Sequence, residues 1–176
     1  MIKEAILAVS LCASMVYPAP IPPSPVCEVS QQIEVPLFCW EEIPLDDEAQ
    51  DYIVRRCVEL DISPSVVFAM IFKESTYNAD AIGDNGRAFG LMQIHPRWHA
   101  ERMDELGCDD LLDPMQNVTV GLNYLEELLD RYESLEAALV AYNRGSYSGQ
   151  ITSYAKAVIN EARRIEEDVL HRRSGG

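Results

Sequence analysis

The sequence predicts an all-α fold, and three observations support this class. From Asp46 onward, apolar residues recur at intervals of three and four, which is the spacing of one helix face. Helix start and stop signals, such as Ser63-Pro64 and Gly145, divide this stretch into short units. No run of residues shows the strict alternation of a half-buried β-strand. We therefore expect one helical domain whose helices follow each other through short connections.

The predicted helices follow in order along the chain. The first begins at Asp46 or Asp47, either of which can cap it. The second starts at Pro64, runs to about Ser75 and is apolar nearly all round, which predicts a buried central helix. The segment 78–90 is rich in Gly, Asp and Asn and is expected to be an irregular loop. Further helices are expected at about 96–106, 114–131, 134–143 and 153–169.

The N-terminal part of the chain differs from the rest in composition. Lys3 precedes an apolar run from Ala5 to Tyr17, which is too short to span a bilayer comfortably. Residues 1–17 are therefore predicted to be a signal peptide or a short membrane-proximal segment. Half of the ten prolines fall in residues 18–25, so we expect 18–42 to be an extended linker. The domain is expected at 43–170 and a polar tail at 171–176.

Cysteine usage agrees with an exported protein. Without the leader, Cys27, Cys39, Cys57 and Cys108 remain, an even number that is compatible with two disulfides in an oxidising compartment. Their spacing does not determine how they pair. We expect a secreted or cell-envelope location, close to the membrane.

The charge balance excludes one class of partner. The chain has 29 acidic and 14 basic residues, for a formal net charge of -15. Binding nucleic acid requires clustered Lys and Arg that neutralise phosphates. Nucleic acid is therefore not an expected partner.

Glu74 is the candidate catalytic residue. It lies three residues after Ile71 and seven after Val67, on the same helix face as these apolar side chains. Burial raises the pKa of a carboxyl group, and protonation of a glycosidic oxygen requires a carboxylic acid that is protonated near neutral pH. Most acids at helix ends are solvated, however, so the helical pattern alone favours a surface position.

Motifs downstream of Glu74 reverse that balance. Asn-Ala-Asp-Ala-Ile at 78–82 is followed by Gly90-Leu-Met-Gln-Ile94 and by Ala141-Tyr-Asn-Arg-Gly145. In this order the motifs resemble the soluble lytic transglycosylase family, whose domain resembles the lysozyme fold of the goose type. The resemblance runs from about residue 43 to residue 162. It implies a lysozyme-like helical domain with a cleft.

The resemblance also implies the activity and the site. Glu74 is expected to act as the single catalytic acid and base. It is expected to cleave the bond between N-acetylmuramic acid and N-acetylglucosamine without water and to close a 1,6-anhydro ring. The partner is the peptidoglycan glycan strand, the protein is expected to be a monomer, and neither a cofactor nor a metal is expected. The residues expected to bind substrate are Met92, Gln93, Tyr142, Asn143 and Tyr154.

Two positions depart from the commoner family pattern. Gly83 stands where many members have a serine, and Arg144 follows Asn143 where a small residue is common. The hydrogen-bond partners of Glu74 and the shape of the cleft therefore remain open.

Competing functions also remain open. An inverting hydrolase needs a second carboxylate to activate water, and Asp80 and Asp84 are the candidates, although Asp84-Asn-Gly is typical of a turn. A glycan-binding module without turnover is a second alternative. A zinc enzyme is a third, because His95 and His99 have the i, i+4 spacing of helical ligands. Pro96 lies between these histidines and no third ligand is evident. Core packing is the alternative role for Met92, Tyr142 and Tyr124, and for Tyr124 it is the expected one.

Overall fold

The computed structural model describes residues 43–174. It contains two short strands and six helices: α1 (Asp47–Glu59), α2 (Pro64–Ser75), β1 (Ile82–Gly83), β2 (Ala88–Phe89), α3 (Pro96–Leu106), α4 (Pro114–Tyr132), α5 (Leu135–Arg144) and α6 (Ser153–Ser174). The all-α prediction is confirmed for this part of the chain, in which the only strands, β1 and β2, form one short hairpin. The predicted leader, the proline-rich linker, Cys27 and Cys39 lie outside the described residues.

Helix starts agree with the capping signals. The side chain of Asp46 accepts a hydrogen bond from the Ala49 N–H at 2.7 Å at the start of α1. The side chain of Asp113 accepts one from the Gln116 N–H at the start of α4. The Ser134 hydroxyl caps α5. Ser63 precedes α2 without a side-chain cap bond; its hydroxyl lies 2.7 Å from that of Ser65 instead. The last helix continues to Ser174, so residues 171–174 of the expected tail are helical.

The predicted buried central helix is α2. Every residue from Ser65 to Ile71 is buried, and the helix packs mainly against α6. Phe68 and Met70 are fully enclosed, and burial of each such side chain contributes about 1.5 to 3 kcal/mol. The end of α2 is therefore held firmly in place.

The segment 78–90 contains a hairpin that the sequence pattern did not predict. Ile82 pairs with Phe89 and Gly83 with Ala88 in antiparallel register. Each strand has only two residues, which is too short for a readable alternation. The turn between them runs through Asp84-Asn85-Gly86, all with positive φ, as expected for this tripeptide.

Two cysteines lie in the described domain. Cys57 and Cys108 are both buried and free, so neither forms a disulfide. Burial raises the pKa of the Cys57 thiol to about 12. Across residues 43–174, no helix combines the length and the apolar character needed to cross a bilayer.

Candidate active site

Glu74 lies in the last turn of α2, at the edge of a cleft. The helix ends one residue later, and Thr76 then adopts a left-handed conformation with φ of 53°. The carboxyl group is half-buried and borders a cavity of about 370 Å³, which we call the inner cavity. The residues that line it are Glu74, Asp84, Ala88, Gln93, His95, Tyr142 and Asn143.

Tyr154 is the direct partner of Glu74. It lies in the first turn of α6, and its hydroxyl donates a hydrogen bond to Oε1 of Glu74 at 2.5 Å. Burial raises the pKa of the Glu74 carboxyl above its ordinary value of 4.5, while this hydrogen bond opposes the rise. Burial and the adjacent carboxylate also raise the pKa of Tyr154. The phenol of Tyr154 therefore stays protonated, and its hydrogen bond orients the Glu74 carboxyl group.

Tyr142, on α5, forms one wall of the inner cavity. Its hydroxyl donates to the backbone carbonyl of Met92 at 3.1 Å, and its ring lies 5.2 Å from that of Tyr124. Burial and the nearby Glu74 carboxylate hold the pKa of Tyr142 well above its ordinary value. Asn143, the next residue, is exposed and also lines the cavity. Glu74 thus faces neutral polar groups on this side.

Gln93 is held in a fixed orientation by the loop around it. Its backbone has a φ of 50°, and its side-chain nitrogen donates to the carbonyls of Ala81 at 3.2 Å and Gly90 at 2.9 Å. Because both partners are acceptors, the nitrogen faces them and the oxygen points elsewhere. A Cβ atom at Gly83 would lie 2.1 Å from that oxygen. The glycine that replaces the common serine therefore leaves room for the Gln93 amide.

Met92 does not line the cleft, which corrects the expectation that it binds substrate. Its side chain is fully buried and packs against Gly121, where a Cβ atom would lie 2.4 Å from the sulfur. Its backbone N–H donates a hydrogen bond to Asn117 of the same helix, α4. Met92 is therefore a core residue beside the cleft, and its carbonyl accepts the hydrogen bond from Tyr142.

Asn117 is a supporting residue whose role the sequence did not reveal. It is fully buried on α4, accepts from the Met92 N–H at 2.8 Å, and donates to the carbonyls of Phe89 and Leu111, also at 2.8 Å. Gly90 packs so closely against it that a Cβ atom would lie 2.3 Å from the amide nitrogen. Asn117 thus fastens the loop that carries Gln93 to α4. The available signal was the spacing of Asn117 by three and eight residues from Val120 and Leu125, which places its amide on the buried face of the helix.

The two candidate second carboxylates differ in position. Asp84 lines the inner cavity with Glu74, whereas Asp80 does not border it. Asp84 is paired with Arg87 at 2.8 Å and lies 3.5 Å from Nε2 of His95. The turn interpretation of Asp84 is confirmed, and the turn places its carboxylate at the cavity.

The two histidines of the zinc alternative have different neighbours. His95 faces Asp84, while the ring of His99 lies 4.6 Å from that of Tyr124. Burial and the adjacent Arg102 lower the pKa of His99 to about 4. Among the described residues, no group of three His, Cys, Asp or Glu side chains is arranged to hold a metal ion. Tyr124, expected in the core, is half-buried and packs against it.

Comparisons with known proteins agree with this geometry. The family model described as the Transglycosylase SLT domain matches residues 51–162. The chain is 34% identical over 88 residues to a transglycosylase of Enterobacteria phage PRD1, which covers 50% of this chain and 31% of the phage protein. It is 30% identical over 115 residues to the invasion protein IagB of Salmonella typhi, covering 60% of this chain and 71% of that protein. The chain thus spans less than a third of the phage relative.

A solved structure shows the same fold. The lytic transglycosylase Slt from Pseudomonas aeruginosa, determined as an inactive mutant, superimposes with a TM-score of 0.59 at 21% sequence identity. The match covers 72% of this chain and 25% of the Slt chain.

Proposed function

The chain belongs to the transglycosylase SLT domain family, and on that premise we propose that it cleaves peptidoglycan glycan strands with Glu74 as acid and base. One observation carries the proposal: a half-buried carboxyl group borders the cleft and is oriented by a phenol at 2.5 Å. Burial raises its pKa, which favours the protonated form that a leaving group requires. Gln93 and Asn143 add amide groups suited to sugar hydroxyl and acetamido groups.

The geometry supports a mechanism with one carboxyl group. Tyr154 donates to Oε1 of Glu74, so the transferable proton is expected on Oε2. Glu74 gives this proton to the oxygen between the muramyl and glucosaminyl residues, while the substrate acetamido group stabilises the anomeric carbon. The resulting carboxylate then takes the proton of the muramyl C6 hydroxyl, which attacks the anomeric carbon and closes the 1,6-anhydro ring. No water is consumed.

Product analysis tests the reaction. Purified cell walls digested with the full chain are expected to release fragments that end in anhydro-muramyl residues, detectable by mass spectrometry as one water lighter than reducing ends. Glu74→Gln is expected to abolish release. If that variant retains near-full activity, Glu74 has no role in the mechanism. Wall binding without any soluble fragment from the unmodified chain would instead indicate a glycan-binding module.

A lysozyme-like hydrolase is the second candidate, and Asp84 favours it. A carboxylate that shares the inner cavity with Glu74 is what activation of a water molecule requires. In a hydrolase, Asp84→Asn is expected to abolish activity, and the products carry reducing ends only. In a transglycosylase, the same variant retains anhydro products. Because Asp84 also pairs with Arg87, Arg87→Gln serves as a control for loss of the hairpin ion pair alone.

The substrate determines the proposed location. Peptidoglycan lies outside the cytoplasmic membrane, so we propose that the protein acts in the cell envelope or after secretion. The apolar segment 1–17 supports export. N-terminal sequencing of the protein recovered from an envelope or culture fraction tests this proposal, since the leader is expected to be missing.

A further inference from the structure

A second, larger cavity continues the cleft away from Glu74. It measures about 660 Å³ and shares Gln93, His95, Tyr142 and Asn143 with the inner cavity. We call it the outer cavity. Most of its lining beyond the shared residues comes from three helices: Trp98, His99 and Arg102 of α3, Tyr124 and Glu127 of α4, and Arg144 at the end of α5. A ligand that reaches Glu74 along the cleft therefore passes these side chains.

Most charged groups of the outer cavity neutralise one another. Arg102 donates to Asn123 and pairs with Glu127, and its guanidinium lies 5.3 Å from the Tyr124 ring centroid. Glu127 is paired with Arg131 as well. His99 stays neutral near pH 7 because its pKa is lowered to about 4. These groups are already satisfied without a ligand.

Arg144 is different, because its charge is unused. It is exposed, and it has no ion pair with any acidic residue in the described part of the chain. Among the described residues, Arg97 and Arg163 also lack an ion pair, but of these three arginines only Arg144 lines the outer cavity. A guanidinium offers a planar fork of donors that matches a carboxylate. An arginine left unpaired at a cleft wall is therefore suited to an anionic ligand group.

Trp98 supplies an apolar surface to the same cavity. Its side chain is 71% exposed, the largest exposure among the big apolar residues described. The Arg97 guanidinium lies over the ring, 5.0 Å from its centroid, and the high exposure leaves much of the ring surface open to a ligand. An exposed aromatic ring beside polar groups is typical of a binding site that holds an amphipathic ligand such as a sugar.

We propose that the outer cavity binds a muramyl residue, with Trp98 against a sugar ring and Arg144 against a carboxylate that this residue carries. Of the two sugars of the strand, only the muramyl residue carries such a group. The carboxylate has two sources: the lactyl group when no peptide is attached, or the stem peptide when the lactyl group is bound as an amide. This inference rests on the proposed function, since it assumes a peptidoglycan strand in the cleft.

Binding measurements with three glycans test it. All measurements use the full chain with Glu74→Gln, so that the glycans are not cleaved. Calorimetry gives the affinity of each glycan for this variant with and without Arg144→Gln. The ligands are an N-acetylglucosamine oligomer without carboxylates, a peptide-free peptidoglycan strand with lactyl carboxylates, and a strand with stem peptides. Arg144→Gln is expected to weaken one or both carboxylate-bearing strands by about tenfold and to leave the oligomer unchanged. The affected strand identifies the source of the carboxylate.

Two further variants complete the experiment. Trp98→Ala is expected to weaken all three ligands, because each has a sugar ring. Arg163→Gln removes the same charge from an exposed position of α6 outside both cavities and is expected to change no affinity. Added salt is expected to weaken the carboxylate-bearing strand less in Arg144→Gln than in the parent.

Several results would overturn the inference. Equal weakening of all three ligands by Arg144→Gln would mean that Arg144 only shapes the cleft, and unchanged affinities would mean that it binds nothing. If Trp98→Ala changes no affinity, the sugar contact is wrong. Absence of all glycan binding would refute the inference and the proposed function together. Arg144-dependent binding by a chain that lacks wall-cleaving activity would refute the proposed turnover alone.

Discussion

Gly83→Ala is expected to disturb the cleft through Gln93. The Cβ atom of an alanine would lie 2.1 Å from Oε1 and 3.3 Å from Cδ of Gln93. Gly83 does not have a positive φ, so alanine suits the backbone and the only conflict is with this side chain. To reach an ordinary contact of 3.4 Å, the oxygen has to move by about 1.3 Å, the difference between 3.4 and 2.1. The amide is at the end of a flexible side chain and is the part that yields.

The cost follows from the two hydrogen bonds that the amide makes. Its nitrogen donates to the carbonyls of Ala81 and Gly90. Each bond contributes about 0.5 to 1.5 kcal/mol net, so loss of both destabilises the fold by about 1 to 3 kcal/mol. Alanine restricts the unfolded chain and offsets about 0.4 to 1 kcal/mol of that loss. We expect the free energy of unfolding to fall by about 1 kcal/mol, with about 2.6 kcal/mol as the upper limit of these ranges. Displacement of a cleft group by more than 1 Å is expected to lower kcat/KM by about tenfold to a hundredfold.

A double-mutant cycle with Gln93→Ala isolates this effect. Urea unfolding is measured for Gly83→Ala in the presence and absence of the Gln93 side chain. Without that side chain, the alanine has no clash and is expected to stabilise the fold by about 0.4 to 1 kcal/mol, through restriction of the unfolded chain. Gly86→Ala is the matched control, because no atom lies within 4 Å of its Cβ position and its cost is expected to be independent of Gln93. If Gly83→Ala costs the same in both backgrounds, Gly83 does not act through Gln93 and the reasoning is refuted.

Three further predictions concern Glu74 and its supports. Tyr154→Phe removes the hydrogen bond that lowers the pKa of Glu74, so the high-pH limb of the pH–activity profile is expected to shift to higher pH, and kcat is expected to fall. A limb at an unchanged pH would contradict this role of Tyr154. Glu74→Gln is expected to flatten the pH dependence of stability. Because the pKa of Glu74 is higher in the folded state than its ordinary value of 4.5, the protonated carboxyl stabilises the fold fully below pH 4.5. This stabilisation is lost as the pH rises through the folded pKa, and thermal unfolding at several pH values measures the loss. Asn117→Ala breaks three hydrogen bonds of 2.8 Å and is expected to reduce stability by about 3 kcal/mol; a loss below about 1 kcal/mol in urea unfolding would contradict its fastening role.

The helices and the face that carries Glu74 followed from local rules. Capping residues and apolar spacing depend on neighbours within one or two turns, so they located α2 and placed Glu74 beside Ile71 and Val67. Motif resemblance added Gln93, Tyr142 and Asn143, all of which line the inner cavity.

Other properties depended on contacts between distant parts of the chain. Helical spacing alone favoured a solvated Glu74, whereas packing of α6 against α2 brings Tyr154, 80 residues away in sequence, into hydrogen-bond contact with it. Met92 is next to Gln93 in the sequence, but its side chain is fully buried in the core instead of lining the cleft. Its N–H donates a hydrogen bond to Asn117, 25 residues later. The space left by Gly83 is filled by a residue ten positions later. Sequence alone determined which residues share a helix face, because that geometry is periodic; only the tertiary structure decided which groups meet, because loop conformation and helix packing have no such period.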